Sequence, residues 1–277
     1  QKILIGVLAI TVVILIGVIA LNINKDEAKQ VSAKQGTELE MEENDGRDSN
    51  SSEERLTYTS YENDINADNA REIENMLNKW NYLRTDGKKI AYLTFDDGPS
   101  IETTPKILET LRNNEIKATF FVLGSNVEKS DTQKELLKEM VKEGHAIGNH
   151  GYCHNYSILY PGRVADTTAF INDMEKSENV MKSVLGDDFS TKVIRFPGGH
   201  MSWKTGNLDP VLEQHGYTYI DWNVLNGDAE GNGKTVEQLI NRLKETITNL
   251  CGNDDVLVVL MHDTDAKPTT AESLQQS

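Results

Sequence analysis

The pattern of apolar and polar positions divides the chain into an apolar N-terminal run, a long polar stretch and an alternating C-terminal region. Residues 3–21 are apolar apart from Thr11 and two glycines, and this run is about long enough to cross a bilayer. We therefore predict an uncleaved transmembrane signal anchor over residues 1–24. A signal peptide cleaved near Val18-Ile19-Ala20 is the main alternative, and a buried helix is a third. With an anchor or a signal peptide, the rest of the chain is exported.

The stretch from residue 25 to residue 66 is rich in acidic and amide side chains and has few apolar positions, which predicts a disordered stalk. Much of the formal net charge of −16 falls in or next to this stretch, so we interpret the charge as that of a solvated tether. An acidic chain also argues against a nucleic-acid partner. Residues 67–83 have apolar positions at helical spacing, which predicts a lead-in helix within residues 67–87.

From residue 88 onward, short apolar runs alternate with helical patterns, and this alternation predicts an α/β fold with a parallel sheet. The predicted strands are residues 90–95, 118–123, 146–149, 193–196, 217–223 and 256–261. The predicted helices lie at residues 103–114, 131–143, 166–185, 206–215 and 235–250. A barrel and a doubly wound sheet both fit this order, and six strands fit a barrel without its last elements.

Polar residues collect where the predicted strands end: Asp96, Asp97, His150, Arg195, Asp221 and His262. The carboxyl ends of parallel strands meet at one face of a barrel, so we expect these side chains to lie together. An Asp-Asp-Gly sequence by itself is ordinarily a solvated turn. Its position among the other strand-end residues is what favours a functional interpretation.

His150 and His154 are four residues apart, a spacing at which two imidazoles on a helical turn can share one metal ion. With one carboxylate they would leave a coordination position open for water, as in hydrolytic sites. Neighbouring strand residues point in opposite directions, so one aspartate could hold a metal while the other handles a proton. We interpret Cys153 as a small residue rather than a ligand. A disulfide between Cys153 and Cys251 is an alternative to free thiols.

Arg195 precedes a Pro-Gly-Gly turn, where it could hold a carboxylate ionised while glycine N–H groups approach a ligand. His262 ends an apolar strand. It could be a core imidazole, or a general acid with a pKa raised by an aspartate such as Asp221. Trp222 could pack in the core or stack on a sugar.

Five motifs in this order resemble one family: TFDDGP at 94–99, HxxxH at 150–154, RxPxG at 195–199, DW at 221–222 and LxH at 260–262. The sequence from residue 88 to residue 277 resembles the polysaccharide deacetylase family, the NodB-type domain of carbohydrate esterase family four. Within that family it looks most like the membrane-anchored peptidoglycan N-acetylglucosamine deacetylases. The resemblance implies a distorted (β/α) barrel over residues 88–277 whose last helix and strand lie beyond this chain.

The resemblance also implies roles for single residues. Asp97, His150 and His154 would bind a divalent metal, zinc or alternatively cobalt. Asp96 would be the general base, tuned by Arg195, and His262 the general acid for the leaving amine, oriented by Asp221. The remaining implied substrate contacts are the N–H group of Gly198, which would stabilise the oxyanion, and Pro197, Trp222 and Leu260. The implied partners are a cell-wall glycan and the membrane, with no nucleic acid and no protein partner.

Gly151 departs from the family pattern, which has serine or threonine after the first metal-binding histidine. We expect altered support of this loop rather than loss of the metal. Chitooligosaccharide deacetylation and xylan O-acetyl ester hydrolysis remain alternatives with the same chemistry. A non-catalytic wall-glycan-binding module is an alternative of another class. Phosphoryl transfer at Asp96 and Asp97 is disfavoured, because no phosphate-binding glycine loop accompanies the pair and imidazoles suit zinc better than magnesium.

Overall fold

Within the described residues, seven strands form one parallel sheet. The strands are β1 Ile90–Asp96, β2 Thr119–Val122, β3 Ala146–Asn149, β4 Val193–Ile194, β5 Thr218–Tyr219, β6 Val224–Leu225 and β7 Val256–His262. Their order in the sheet is β5-β4-β3-β2-β1-β7-β6. The last strand returns to pair with the first over seven residues, as in a barrel. β5 and β6 stand at the two edges of the sheet, so the barrel is open between them. The predicted α/β barrel is thereby confirmed.

Helices connect the strands, as parallel pairing requires. They are α1 Ala70–Lys79, α2 Thr104–Asn113, α3 Gly124–Val127, α4 Asp131–Lys142, α5 Tyr156–Leu159, α6 Thr167–Leu185, α7 Leu208–Gln214, α8 Val236–Thr246 and α9 Thr269–Leu274. Capping side chains set several of their starts: Ser130 accepts the N–H of Gln133 at α4, and Asp166 accepts that of Ala169 at α6. A capping box between Thr235 and Gln238 begins α8.

The core lies between the sheet and the helices packed on it. Phe95 of β1 stacks on Phe120 of β2 with ring centroids 5.2 Å apart, and both are fully buried. Leu108 of α2 and Leu137 of α4 belong to the same buried cluster. This packing fixes the carboxyl ends of the central strands, from which the site residues project.

The predicted strand at residues 217–223 is wrong in its extent, because the chain leaves one sheet edge and joins the other. Only Thr218–Tyr219 pairs with β4, and Val224–Leu225 pairs with β7. Between them, the side chain of Asn223 donates to the carbonyl of Val256 at 2.9 Å and accepts the N–H of Val258 at 2.8 Å. The backbone N–H of Asn223 also donates to the carbonyl of Val258 at 3.2 Å, so a side-chain amide supplements backbone pairing at this crossing. An apolar pattern does not reveal such a contact.

The computed structural model describes Leu56, Tyr58 and residues 61–251 and 254–277. The predicted anchor at residues 1–24 and most of the predicted stalk at 25–66 lie outside these residues. At the end of the predicted stalk, Tyr58 packs on Phe189 and donates to the carbonyl of Leu185 at 2.6 Å, so this end contacts the domain. No helix within the described ranges is long and apolar enough to cross a membrane.

Candidate metal centre and active site

Asp97, His150 and His154 lie together at the carboxyl end of the sheet, where the sequence predicted a metal site. Oδ1 of Asp97 is 3.5 Å from Nε2 of His150 and 3.6 Å from Nε2 of His154. One ligand atom from each of the three residues falls within 4.8 Å of the other two. This carboxylate and imidazole set suits zinc and related transition metals.

The geometry of the triad fits a bound cation. Oδ1 of Asp97 is buried and accepts no hydrogen bond from the described residues. Such an orphaned carboxylate oxygen is costly unless a cation compensates it. Asp97 and His154 have φ angles of 72° and 48°, a region that residues other than glycine rarely adopt. Backbone strain of this kind gathers at functional sites.

His150 is held in the protonation state that a metal ligand needs. Its Nδ1 lies 2.9 Å from the carbonyl oxygen of Arg195. Because a carbonyl only accepts, Nδ1 carries the proton, and the lone pair of Nε2 is left facing Asp97. Burial lowers the pKa of His150 to about 3, so the imidazole is neutral at ordinary pH.

Asp96 has a different environment from its neighbour Asp97. One of its oxygens, Oδ1, accepts a hydrogen bond of 2.8 Å from Arg195, while Oδ2 faces the triad, 3.8 Å from Nε2 of His150. Burial raises the pKa of Asp96, and the charge and hydrogen bond of Arg195 oppose that rise. The structure thus separates the two carboxylates as the sequence suggested, one in the triad and one on the guanidinium.

Arg195 is fully buried and its guanidinium is anchored on several sides. It donates to the hydroxyl of Thr94 at 2.7 Å and to the carbonyls of Ile220 and Asp221 at 2.7 and 3.2 Å. A buried guanidinium with this many acceptors has little freedom to move. It therefore fixes the position of the Asp96 carboxylate.

The carboxylate that contacts His262 is Asp228, so the predicted orientation of His262 by Asp221 is wrong. Nδ1 of His262 lies 2.8 Å from Oδ1 of Asp228. Oδ2 of Asp228 accepts the N–H of His262 and the hydroxyl of Thr270, both at 2.8 Å. Burial alone would lower the pKa of His262. The hydrogen bond and charge of Asp228, with the charges of Asp96 and Asp97, raise it to about 9.

Asp221 instead supports the turn that follows Arg195. Its carboxylate accepts the N–H groups of His200 and Met201 at 2.9 and 3.3 Å. The sequence did not predict β6, a two-residue strand that pairs with β7 and places Asp228 beside it. The apolar pair Val224–Leu225 is too short to be recognised as a strand, so the strand-end rule used for the other residues did not reach Asp228.

The four predicted substrate contacts line the same end of the sheet. Gly198 has a φ of 81°, and the carbonyl of the preceding Pro197 accepts the indole N–H of Trp203 at 2.9 Å. Leu260 lies on β7 two residues before His262 and is largely buried. Trp222 is partly buried, with its ring 5.7 Å from the Arg195 guanidinium. The contact of these four residues with a substrate stays a prediction.

The loop that carries both histidines is supported by Asp173 of α6. The carboxylate of Asp173 accepts the N–H of Tyr152 at 2.7 Å and that of Cys153 at 3.2 Å. At Gly151, where φ is 81°, a Cβ would lie 2.4 Å from Oδ2 of Asp173. Glycine at 151 therefore makes room for the carboxylate, and this is the altered loop support that we expected. Asp173 itself was missed, because a helical aspartate carries no motif.

Cys153 carries a free thiol and lies half-buried in this loop. Burial, together with the hydrogen bond to Asp173, raises the pKa of the thiol above its usual range. The thiol form is a poor metal ligand, so the interpretation of Cys153 as a non-ligand fits its surroundings. The side chain of Cys251 lies outside the described residues.

A further buried carboxyl group, Asp263, lies behind the turn that follows β1. Its Oδ2 accepts the hydroxyl of Thr104 at 2.8 Å, and its backbone N–H donates to the carbonyl of Asp96 at 3.0 Å. Burial raises the pKa of Asp263 to about 7. A Cβ on Gly98 would lie only 2.0 Å from Oδ2 of Asp263, so the glycine in this turn permits the close approach.

Replacing Asp173 with asparagine should weaken metal binding by about tenfold or more, because residues that orient metal ligands typically contribute on that scale. An asparagine keeps one acceptor oxygen but turns an N–H donor toward the loop. Titration of the metal-free protein with zinc, followed by calorimetry, measures the change. Glu175→Gln on the exposed side of the same helix is the matched control. Unchanged affinity in Asp173→Asn would show that the loop keeps its geometry without this carboxylate.

The fold and these contacts define a class: an α/β barrel with a carboxylate–imidazole metal triad beside an anchored carboxylate and a histidine paired with aspartate. The comparisons give the family. The profile of the family described as polysaccharide deacetylase matches residues 83–220. The chain is 38% identical to a Streptococcus mutans CE4 esterase of known structure, with a TM-score of 0.65 and coverage of 75% of this chain and 83% of that chain.

Curated relatives agree with this assignment. A peptidoglycan-N-acetylglucosamine deacetylase of Bacillus cereus is 32% identical over 68% of this chain and 65% of its own length. Another protein of the same name from Bacillus cereus is 31% identical over 64% of this chain and 73% of its own length. This chain belongs to the polysaccharide deacetylase family. It spans less than two thirds of the first relatives it matches, 62% and 65% of their lengths.

Proposed function

We propose that the protein removes N-acetyl groups from N-acetylglucosamine residues of cell-wall peptidoglycan by metal-dependent hydrolysis. One observation carries this proposal: the triad of Asp97, His150 and His154 lies at the same end of the sheet as Asp96 and His262. Asp96 ends β1, and His262 ends the neighbouring strand β7. β1 and β7 are paired so that Asp96 lies opposite His262. The names of the Bacillus cereus relatives support the N-acetylglucosamine substrate.

The residues supply the groups that amide hydrolysis needs. A divalent metal held by the triad would polarise the acetamide carbonyl and make water a better nucleophile at neutral pH. Asp96, with Oδ2 free of Arg195, accepts the proton that the attacking water loses. The N–H group of Gly198, in a turn braced by Asp221, can donate to the oxygen that gains charge. These three assignments give the first half of the reaction.

The second half needs a proton for the leaving amine, because an amide anion is a very poor leaving group. The raised pKa of His262, about 9, keeps the imidazole protonated at neutral pH. Asp228 holds Nδ1, so Nε2 is left to deliver the proton to the nitrogen. The acid therefore carries its proton at neutral pH, while the hydrogen bond and charge of Arg195 favour the ionised form of Asp96 that a base needs.

Asp228→Asn should move the alkaline limb of the pH profile of kcat to lower pH by about one unit or more. His262 must be protonated to act, so activity falls as pH rises through its pKa. The substitution removes the charge that raises this pKa and leaves burial, which lowers it. Initial rates of acetate release between pH 6 and 10 measure the limb. An unmoved limb with reduced kcat would mean that another group sets the alkaline pKa.

Substrate choice is tested by acetate release from peptidoglycan, a chitooligosaccharide and acetylxylan, with zinc and with cobalt. Fastest release from peptidoglycan is the expected result. An O-acetyl ester substrate is the second candidate, because the Streptococcus mutans structure is that of a protein named an esterase. Binding of glycan without release of acetate from any of the three would favour a non-catalytic wall-binding module instead.

We also propose that the domain works outside the cell membrane, held by the apolar segment at residues 1–24. Support comes from the sequence alone: an apolar run over residues 3–21, an acidic polar stretch after it, and a substrate located in the wall. Treating intact protoplasts with protease tests the arrangement. The domain should be degraded from outside, and its survival until the cells are lysed would contradict the proposal.

A further inference from the structure

An exposed tyrosine stands directly beside the metal triad. Tyr156 begins α5, two residues after His154, and its ring centroid is 5.1 Å from that of the His154 imidazole. Tyr156 is 44% exposed to solvent. Its hydroxyl makes no hydrogen bond within the described part of the chain. A large amphipathic side chain is therefore presented to solvent at the rim of the site.

Trp203 and Tyr160 form an aromatic wall behind Tyr156. The rings of Tyr156 and Trp203 are 5.0 Å apart, and Trp203 stacks on Tyr160 at 4.1 Å with an interplanar angle of 8°. The guanidinium of Arg163 lies 5.1 Å from the centroid of Trp203. The indole N–H of Trp203 is bound to Pro197 in the turn that carries Gly198. The aromatic wall is thus tied to the segment that we assign to the oxyanion.

Because Gly198 has no side chain, there is room beside it for the hydroxyl group of Tyr156. A Cβ on Gly198 would lie 3.0 Å from the hydroxyl oxygen of Tyr156 and 3.2 Å from the ring of Trp203. The missing side chain leaves the space that the Tyr156 hydroxyl occupies, over the residue whose N–H is proposed to stabilise the oxyanion. Trp222, the predicted sugar-stacking residue, lies against the next residue, where a Cβ on Gly199 would meet its ring at 2.7 Å.

We propose that Tyr156 contacts the substrate and determines specificity, packing its ring against the sugar that carries the scissile acetamide and hydrogen-bonding to that sugar through its hydroxyl. A pyranose ring has apolar C–H faces and a rim of hydroxyl groups, and a tyrosine matches both with one side chain. This inference rests on the proposed function. It adds Tyr156 to the substrate contacts that were predicted from the sequence.

The test compares two substrates with the zinc-loaded protein: chitotetraose, and 4-nitrophenyl acetate, which has no sugar. Tyr156→Ala should lower kcat/KM for chitotetraose by about tenfold or more, because the buried apolar contact is lost. Tyr156→Phe should lower it by about threefold to tenfold, mainly through KM, because one neutral hydrogen bond is lost. Hydrolysis of the nitrophenyl ester and the zinc content should stay near wild type in both variants.

Ile158→Ala is the matched control, because Ile158 is also exposed, at 53%, on the same short helix. This variant should behave as wild type on both substrates. Equal losses on chitotetraose and the ester in Tyr156→Ala, or loss of zinc, would overturn the inference and assign Tyr156 to supporting His154. Unchanged kinetics would overturn it as well. If the wild type hydrolyses the ester but releases acetate from neither chitotetraose nor peptidoglycan, both the proposed function and this inference fail.

Discussion

Asp96→Asn is expected to lower kcat for deacetylation by about 10²–10⁴-fold while the protein keeps its metal. Asparagine has the size of aspartate and can still accept a hydrogen bond from Arg195 through its remaining oxygen. It cannot take a proton from water, so the base is lost while the buried packing is kept. Because Asp96 is bound to Arg195 at 2.8 Å and is not part of the triad, metal binding should not change.

The reciprocal variant makes this prediction specific. Asp97→Asn removes the negative charge from the triad, so it should lose metal affinity as well as activity. Metal content by elemental analysis and turnover by acetate release give two independent readouts for each variant. Metal loss in Asp96→Asn with retention in Asp97→Asn would show that the two aspartates have exchanged roles.

His262→Ala should reduce amide hydrolysis by about 10²–10⁴-fold and ester hydrolysis by much less. An amine leaves only when it is protonated, whereas an alcohol or phenol leaves more readily without help. The pKa of about 9 means that His262 holds the required proton at neutral pH. The comparison of chitotetraose with 4-nitrophenyl acetate separates the two cases.

Equal losses on both substrates would count against His262 as the acid for the amine. They would indicate that the imidazole acts before the leaving step, for example by orienting the nucleophile. Zinc content is the necessary control, because the β7 strand end that carries His262 is paired with the one that carries Asp96. A stable, metal-loaded variant with selective loss on the amide is the outcome that supports the assignment.

The sequence predicted the parallel sheet because buried parallel strands read as short apolar runs between helices. It also predicted a metal site, because the Asp96-Asp97 pair and His150 follow such runs and His154 lies four residues after His150. The choice of Asp97 as the ligand came from the family resemblance. What it could not show was a strand of two residues. Val224–Leu225 is too short to form a pattern, so Asp228 was overlooked and Asp221, in the longer run before it, was given the role.

The sequence also could not predict contacts in the site between segments that are distant along the chain. Gly151 was recognised as unusual, but only the structure shows that a carboxylate from α6, Asp173, takes the space beside it. Tyr156 has no motif either, and its position over Gly198 depends on how α5 and the Pro197 turn pack. Residues of this kind are found by geometry, because nothing in their local sequence distinguishes them from surface positions.

The most direct test of the account measures acetate release from purified peptidoglycan before and after removal of metal. Wild-type protein should release acetate in equal amounts with new free amines, stop after treatment with a chelator, and recover on addition of zinc or cobalt. His150→Ala should stay inactive under all of these conditions, because it lacks one ligand of the triad. Acetate release that survives chelation, or that persists in His150→Ala, would contradict the central claim that the triad holds a metal needed for deacetylation.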